Sequence, residues 1–154
     1  MTTVHKPEAA IVDVDGTLVD VSGIRHYVTA GHKTRNFDDF HKASAVCPAI
    51  PDSLSWVEGQ RARGRKIIIV TARQRQYEHL TRVWLRKWGI HFDELHMRDT
   101  GDPRPDSDVK RDILAQIRER YDVREAIDDN PSVIALWRSE GIPVTVVPGW
   151  PEDA

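Results

Sequence analysis

Only one cysteine, Cys47, and two methionines occur among the 154 residues. A lone cysteine excludes an intramolecular disulfide and the multi-cysteine zinc and iron–sulfur centres. Cys47 precedes Pro48 with no activating motif beside it, so it reads as a structural thiol. No apolar run nears the roughly 18 residues of a membrane span, and mean hydropathy is −0.50. Neither sign of charge dominates: 22 Lys and Arg stand against 24 Asp and Glu, for a net charge of −2. That balance argues against a protein that coats nucleic acid through a general basic field. It leaves room for one that grips a nucleic-acid end with a few arginines. The first apolar run, Ala9 to Val12, is too short for a signal peptide and leads into acidic residues, so a cytoplasmic protein is expected.

What is present fits one globular domain over residues 1–154: 40% hydrophobic and 30% charged residues, with no repeat, low-complexity stretch or linker. Apolar and polar segments alternate in an αβ rhythm. Strands are expected at 9–14, 66–70, 94–97, 124–127 and 144–147. Between them, helices are expected over about 37–46, 52–64, 74–88, 107–121 and 131–140. Asn36 suits the cap of the first helix, with Phe37, Phe40, Ala43 and Val46 on its buried face. The helix over 74–88 would bury Tyr77, Leu80, Val83, Trp84 and Trp88, and the one over 107–121 Val109, Ile113, Leu114 and Ile117. Such a chain is an α/β fold: a three-layer, Rossmann-like, five-stranded parallel sheet with helices on both faces. Ligands then bind beyond the carboxyl ends of the strands, near a switch in strand order.

Four polar clusters follow strand ends. Asp13-Val14-Asp15-Gly16-Thr17 places two carboxylates two residues apart, with Gly16 to turn the chain away. Paired acids in an apolar setting are costly, and a divalent cation such as Mg²⁺, which favours oxygen ligands, resolves the cost. The same string also occurs as a solvated turn. Thr71-Ala72-Arg73 follows the Ile-rich strand and offers a hydroxyl and amide for a phosphate at a helix start, or a simple helix cap. Lys110 lies near a helix N-terminus, where a cation gains nothing from the dipole, so it reads either as a solvated lysine or as a partner for an anion. Asp128-Asp129-Asn130 again pairs acids at a strand end, or caps the helix begun by Pro131.

The order and placement of all four say more than any one. Together they resemble the haloacid dehalogenase superfamily of phosphotransferases: Asp13-x-Asp15-Gly-Thr its first motif, Thr71 its second, Lys110 its third and Asp128-Asp129 its fourth. The resemblance spans about residues 9–147. It implies that Asp13 is a nucleophile that becomes an aspartyl-phosphate, and that Asp15 is the general acid and then the base. It also implies that Thr71 and Lys110 hold the phosphoryl group. Mg²⁺ would be bound by Asp13, the backbone carbonyl of Asp15, and one or both of Asp128 and Asp129.

Within the superfamily the chain is similar to the 3′-phosphatase domains of bacteriophage-type polynucleotide kinase/phosphatases. The supporting stretches are Val12 to Leu18, Thr71-Ala72-Arg73, the loop from Met97 through Lys110, and Ala126 to Asp129 followed by Val133 to Arg138. That likeness implies substrate-binding arginines at Arg73 and Arg25, and an acid, Asp106, that orients Lys110. It also implies DNA or RNA 3′-phosphate ends as the substrate. Gly59 to Gly64 mimics the glycine spacing of a P-loop, but Arg65-Lys66 follows and the segment joins a helix to a strand, so no kinase site is expected.

The helix over 52–64 leaves only about residues 20–50 for a flap between the first two motifs. No large cap domain is expected, and an open site would admit a polynucleotide end. A phosphatase of small nucleotides and a non-catalytic module that binds phosphorylated ends are the competing functions. The seven histidines show no metal spacing. Trp84 and Trp88 read as helix face, and Trp150 as a residue that packs, stacks on a base or joins a contact.

Overall fold

The computed structural model describes residues 5–28 and 36–149. Trp150 lies outside them. Five strands, β1 (Glu8–Val12), β2 (Lys66–Gln74), β3 (Glu94–Arg98), β4 (Asp122–Asp128) and β5 (Val144–Val146), form one parallel sheet in the order β3-β2-β1-β4-β5. The central strand β1 is flanked by β2 and β4, so the chain reverses its winding direction there. Parallel pairing requires crossovers, and helices α1 (Phe37–Ser44), α2 (Pro51–Ala62), α3 (Glu78–Lys87), α4 (Asp106–Arg118) and α5 (Pro131–Ser139) supply them.

Side chains alternate across a strand, and that alternation sorts the core into two layers. Ala10, Val12, Ile67 and Ile69 pack with Val57 of α2 and Trp84 and Leu85 of α3 on one face. Ala9, Ile11, Ile68 and Val70 pack with Val109, Ile113, Leu114 and Ile117 of α4 and Trp137 of α5 on the other. Burying each such Ile or Leu contributes about 1.5–3 kcal/mol. The three-layer parallel sheet is as the sequence pattern requires, and no cap domain occurs among the described residues. No described helix is long and apolar enough to cross a membrane.

Three local expectations differ from the structure. The strand β2 runs on to Gln74, pairing Thr71 with Met97 and Gln74 with Arg98 across an irregular register. A 3₁₀ turn, Arg75–Tyr77, then separates it from α3. Thr71 and Arg73 are therefore strand residues, and the helix that follows them in the chain, α3, begins only at Glu78. The helix α1 is capped by Asn36, whose side chain accepts from the Asp39 amide, but it buries Phe40, His41 and Ser44 and leaves Phe37 and Val46 exposed. Likewise α3 buries Thr81, Trp84 and Leu85, while Val83 and Trp88 face outward. Both helices turn polar residues inward, for a reason that lies in the site. Cys47 is buried, its thiol contacts the Ala43 carbonyl at 3.7 Å, and burial pushes its pKa up, as suits an inert thiol. The Gly59–Gly64 stretch does join α2 to β2.

Candidate active site

The tips of β1 and β4 are adjacent because the two strands pair through Val12 and Ile127. That pairing brings Asp13 beside Asp128 and Asp129. One carboxylate oxygen from each of the three lies within 4.8 Å of the others, and all three residues are buried. Asp128 is aimed by its own backbone: its Oδ1 accepts from the amides of Asp129 at 2.8 Å and Asn130 at 3.0 Å. Lys110 enters from α4 and donates to Asp13 Oδ1 at 2.9 Å and Asp128 Oδ2 at 3.2 Å. It is 2% exposed, so the solvated-lysine reading does not hold. Burial works against its charge, yet Asp128 and Asp13 hold its pKa well above the ordinary lysine range.

Gly16 makes this approach possible. Its φ is +79°, and a Cβ there would stand 2.0 Å from Asp129 Oδ2. Thr17 then sends its hydroxyl between two acids, 3.2 Å from Asp13 Oδ2 and 3.0 Å from Asp129 Oδ1. A hydroxyl carries one proton, so it satisfies one of these oxygens at a time. The crowding of acids shows in Asp128, whose pKa is pushed up to about 6, first by burial and then by the Asp13 charge, against the pull of Lys110. An all-oxygen cluster with surplus negative charge fits a hard divalent cation. Among the predicted metal residues, Asp13, Asp128 and Asp129 converge, whereas the Asp15 carboxylate turns elsewhere.

Asp15 faces Arg73. The guanidinium forks onto it, Nε to Oδ2 at 2.9 Å and Nη2 to Oδ1 at 2.6 Å. Burial works to raise the Asp15 pKa, but the Arg73 charge and fork outweigh it and hold it below the usual range. Arg73 also donates to Ser44 Oγ at 2.9 Å and Thr81 Oγ1 at 3.0 Å and is 2% exposed. The sequence pointed it at the substrate; in the structure its fork is taken up inside the protein. Thr71 Oγ1 accepts from the Arg73 amide at 3.1 Å, which leaves the hydroxyl proton to donate.

Arg25 stands at the rim, with Nη2 3.8 Å from Asp129 Oδ2 and its side chain 20% exposed. Asp106 is held by Arg98 at 2.5 Å and lies 3.5 Å from Asn130 Nδ2. Its negative charge adds to the forces that raise the Lys110 pKa.

Sequence reasoning missed Ser44, Thr81, His41 and Arg98. Arg98 is buried and ties the 98–106 loop together through the carbonyls of Ala72, Asp102 and Arg104. His41 packs against Tyr77 with ring centroids 4.5 Å apart, its Nδ1 has no hydrogen-bond partner, and burial pushes its pKa down to about 4. The one signal in the sequence was polar residues interrupting the apolar stripes of α1 and α3.

Comparison with known proteins agrees with this geometry. The chain is 28% identical to a protein of the Pnkp1/Rnl/Hen1 RNA repair complex, with a TM-score of 0.76 over 93% of this chain and 43% of that one. It is 29% identical over 140 residues to a putative bifunctional polynucleotide kinase/RNA ligase of Autographa californica nuclear polyhedrosis virus, covering 89% of this chain and 19% of the viral protein. A stem 28 kDa glycoprotein of Glycine max is 27% identical over 136 residues, 82% of this chain and 52% of its own length. The chain thus spans about half or less of each relative. The family model for the phosphatase domain of polynucleotide kinase PNKP matches residues 7–149, and the chain belongs to that family of haloacid dehalogenase-type phosphatase domains.

Proposed function

We propose that residues 1–154 form one Mg²⁺-dependent phosphatase domain that removes 3′-phosphates from DNA or RNA ends. The observation that carries this reading is Asp13 held by buried Lys110 at the tip of β1, with Asp128 and Asp129 beside it and Asp15 two residues on. The relatives' names, a polynucleotide kinase/RNA ligase and an RNA repair complex, support a polynucleotide substrate.

The Asp13 carboxylate attacks phosphorus, the bond from phosphorus to the 3′-oxygen breaks, and Asp15 gives that oxygen a proton. The product is a 3′-hydroxyl and an aspartyl-phosphate. A water then gives its proton to Asp15 and attacks the same phosphorus, which releases inorganic phosphate and restores Asp13. Covalent catalysis thus splits one difficult hydrolysis into two steps. Lys110 and the Thr71 hydroxyl hold phosphoryl oxygens, and Arg25 at the rim meets the incoming phosphate. Asp106 steadies Lys110 by its charge. Asp13, Asp128, Asp129 and the Asp15 carbonyl would hold Mg²⁺, which offsets the repulsion between a phosphate dianion and a carboxylate. The Arg73 fork favours ionised Asp15, the form needed as base; the entering anion favours the protonated form needed as acid.

Phosphate release from matched oligonucleotides with a 3′- or a 5′-phosphate, beside mononucleotides, tests the reading. A strong preference for the 3′-phosphorylated oligonucleotide is expected, with none released by Asp13→Asn. Preference for mononucleotides would move the function to small-molecule chemistry, and binding without release would make the chain a non-catalytic module.

A further inference from the structure

Arg73 carries five N–H donors in a rigid fork. Four of them have bonds: two go to Asp15, and two go to hydroxyls from different helices, Ser44 of α1 and Thr81 of α3. Each hydroxyl has one proton and has already committed it. Ser44 Oγ donates to the His41 carbonyl at 2.6 Å, and Thr81 Oγ1 donates to the Tyr77 carbonyl at 2.8 Å. What each presents to Arg73 is therefore a lone pair in a fixed direction. Back-bonding of this kind slightly destabilises helices in general. Here it occurs twice, at residues 1% and 0% exposed, against one guanidinium.

The segments flanking the two helices are also bonded across, Tyr77 just before α3 and Cys47 just after α1. Tyr77 Oη donates to Asp38 Oδ1 of α1 at 2.9 Å, and Trp84 Nε1 of α3 donates to the Cys47 carbonyl at 3.0 Å. Among the described residues, neither hydroxyl hydrogen-bonds an acid of the cluster, and both are linked to Asp15 through Arg73.

We infer that Ser44 and Thr81 are positioning residues that aim the Asp15 carboxyl at the leaving oxygen, acting through Arg73. The inference rests on the reading of Asp15 as general acid. A fork bonded only to Asp15 can tilt together with it. Hydroxyls on Nη1 and Nη2 from two helices fix the guanidinium plane, and the fork passes that plane to the carboxylate. Proton transfer is sensitive to such aim, since a displacement of about 1 Å costs on the order of 100-fold in rate.

The test uses two oligonucleotides that differ in one atom: a 3′-phosphate, and a 3′-S-phosphorothiolate whose thiolate leaves without needing a proton. The value of kcat/KM reports the first phosphoryl transfer on each. Ser44→Ala and Thr81→Val are each expected to lower it about tenfold on the oxygen substrate and less than about twofold on the sulfur substrate. Thr81→Ser, which keeps the hydroxyl, is expected to restore the rate. Asp15→Asn serves as reference, with a loss of about 100-fold or more on the oxygen substrate alone. If Asp15→Asn is selective for the leaving atom but Ser44→Ala and Thr81→Val impair both substrates equally, or neither, the positioning inference is overturned and the acid reading stands. If Asp15→Asn impairs both equally, the acid reading itself fails.

Discussion

The acidic half of the site and its arginine half are built differently. Asp13, Asp128 and Asp129 lie at the tips of two paired strands, so sheet pairing brings them together, and the Gly16 turn brings Thr17 to them. Asp15 is aimed by groups that arrive from elsewhere: Arg73 from the far end of β2, Ser44 from α1 and Thr81 from α3. The first half gathers like charges and needs cations to hold it. The second half sets one guanidinium against a carboxylate and two hydroxyls, so its charges balance locally. Strand tips therefore concentrate charge, while helices on one face of the sheet supply direction.

The sharpest way to break this contrast is Lys110→Met. It leaves Asp13 and Asp128 buried without their shared cation, and breaking a buried pair costs about 3–5 kcal/mol. Denaturant unfolding in EDTA should show that loss, and it should be smaller at pH 5 than at pH 8. Asp128, already pushed up to about 6, takes a proton at the lower pH and relieves the repulsion. Added Mg²⁺ should recover part of the stability. An equal loss at both pH values would mean that the acids are not crowded.

A smaller effect is expected at Gly16. Alanine there would adopt a positive φ and press its Cβ on Asp129, at a cost of about 1–3 kcal/mol. Because Asp129 must move, the Mg²⁺ concentration for half-maximal activity should rise about tenfold. Unchanged Mg²⁺ dependence would show that Asp129 is not part of the metal cluster.

The smallest effect at neutral pH belongs to the arginine half. His41 has its pKa lowered from 6.5 to about 4 by burial. The unfolded chain therefore binds a proton between those values that the folded chain refuses. Stability should be full above pH 6.5 and fall as pH drops toward 4, by up to about 3 kcal/mol. His41→Phe keeps a ring and removes the titration. The difference between the two proteins' unfolding curves isolates the imidazole, since Asp128 titrates in both. Parallel curves would place His41 in contact with water.

The sheet, the two core layers and the helix α4 were legible because apolar runs and 3.6-residue stripes coincide there with real burial. The strand-tip acids were legible because motif order and strand ends coincide. The inward faces of α1 and α3 were not. Apolar periodicity points Phe37, Val46, Val83 and Trp88 at the core, but the helices rotate to put Ser44 and Thr81 on a buried guanidinium. A long-range polar contact outweighed local pattern, which is where functional sites tend to depart from it. The role of Arg73 went unread for the same reason, since nothing adjacent in the chain reveals that its donors are already engaged.

The most direct test of the account is a pre-steady-state measurement on Asp15→Asn with excess 3′-S-phosphorothiolate oligonucleotide and Mg²⁺. The thiolate needs no acid to leave, but the second step has lost its base. The account predicts a burst of about one thiol per enzyme, followed by a stall with phosphate attached to Asp13. Steady release without a burst, or phosphate on any other residue, would contradict it.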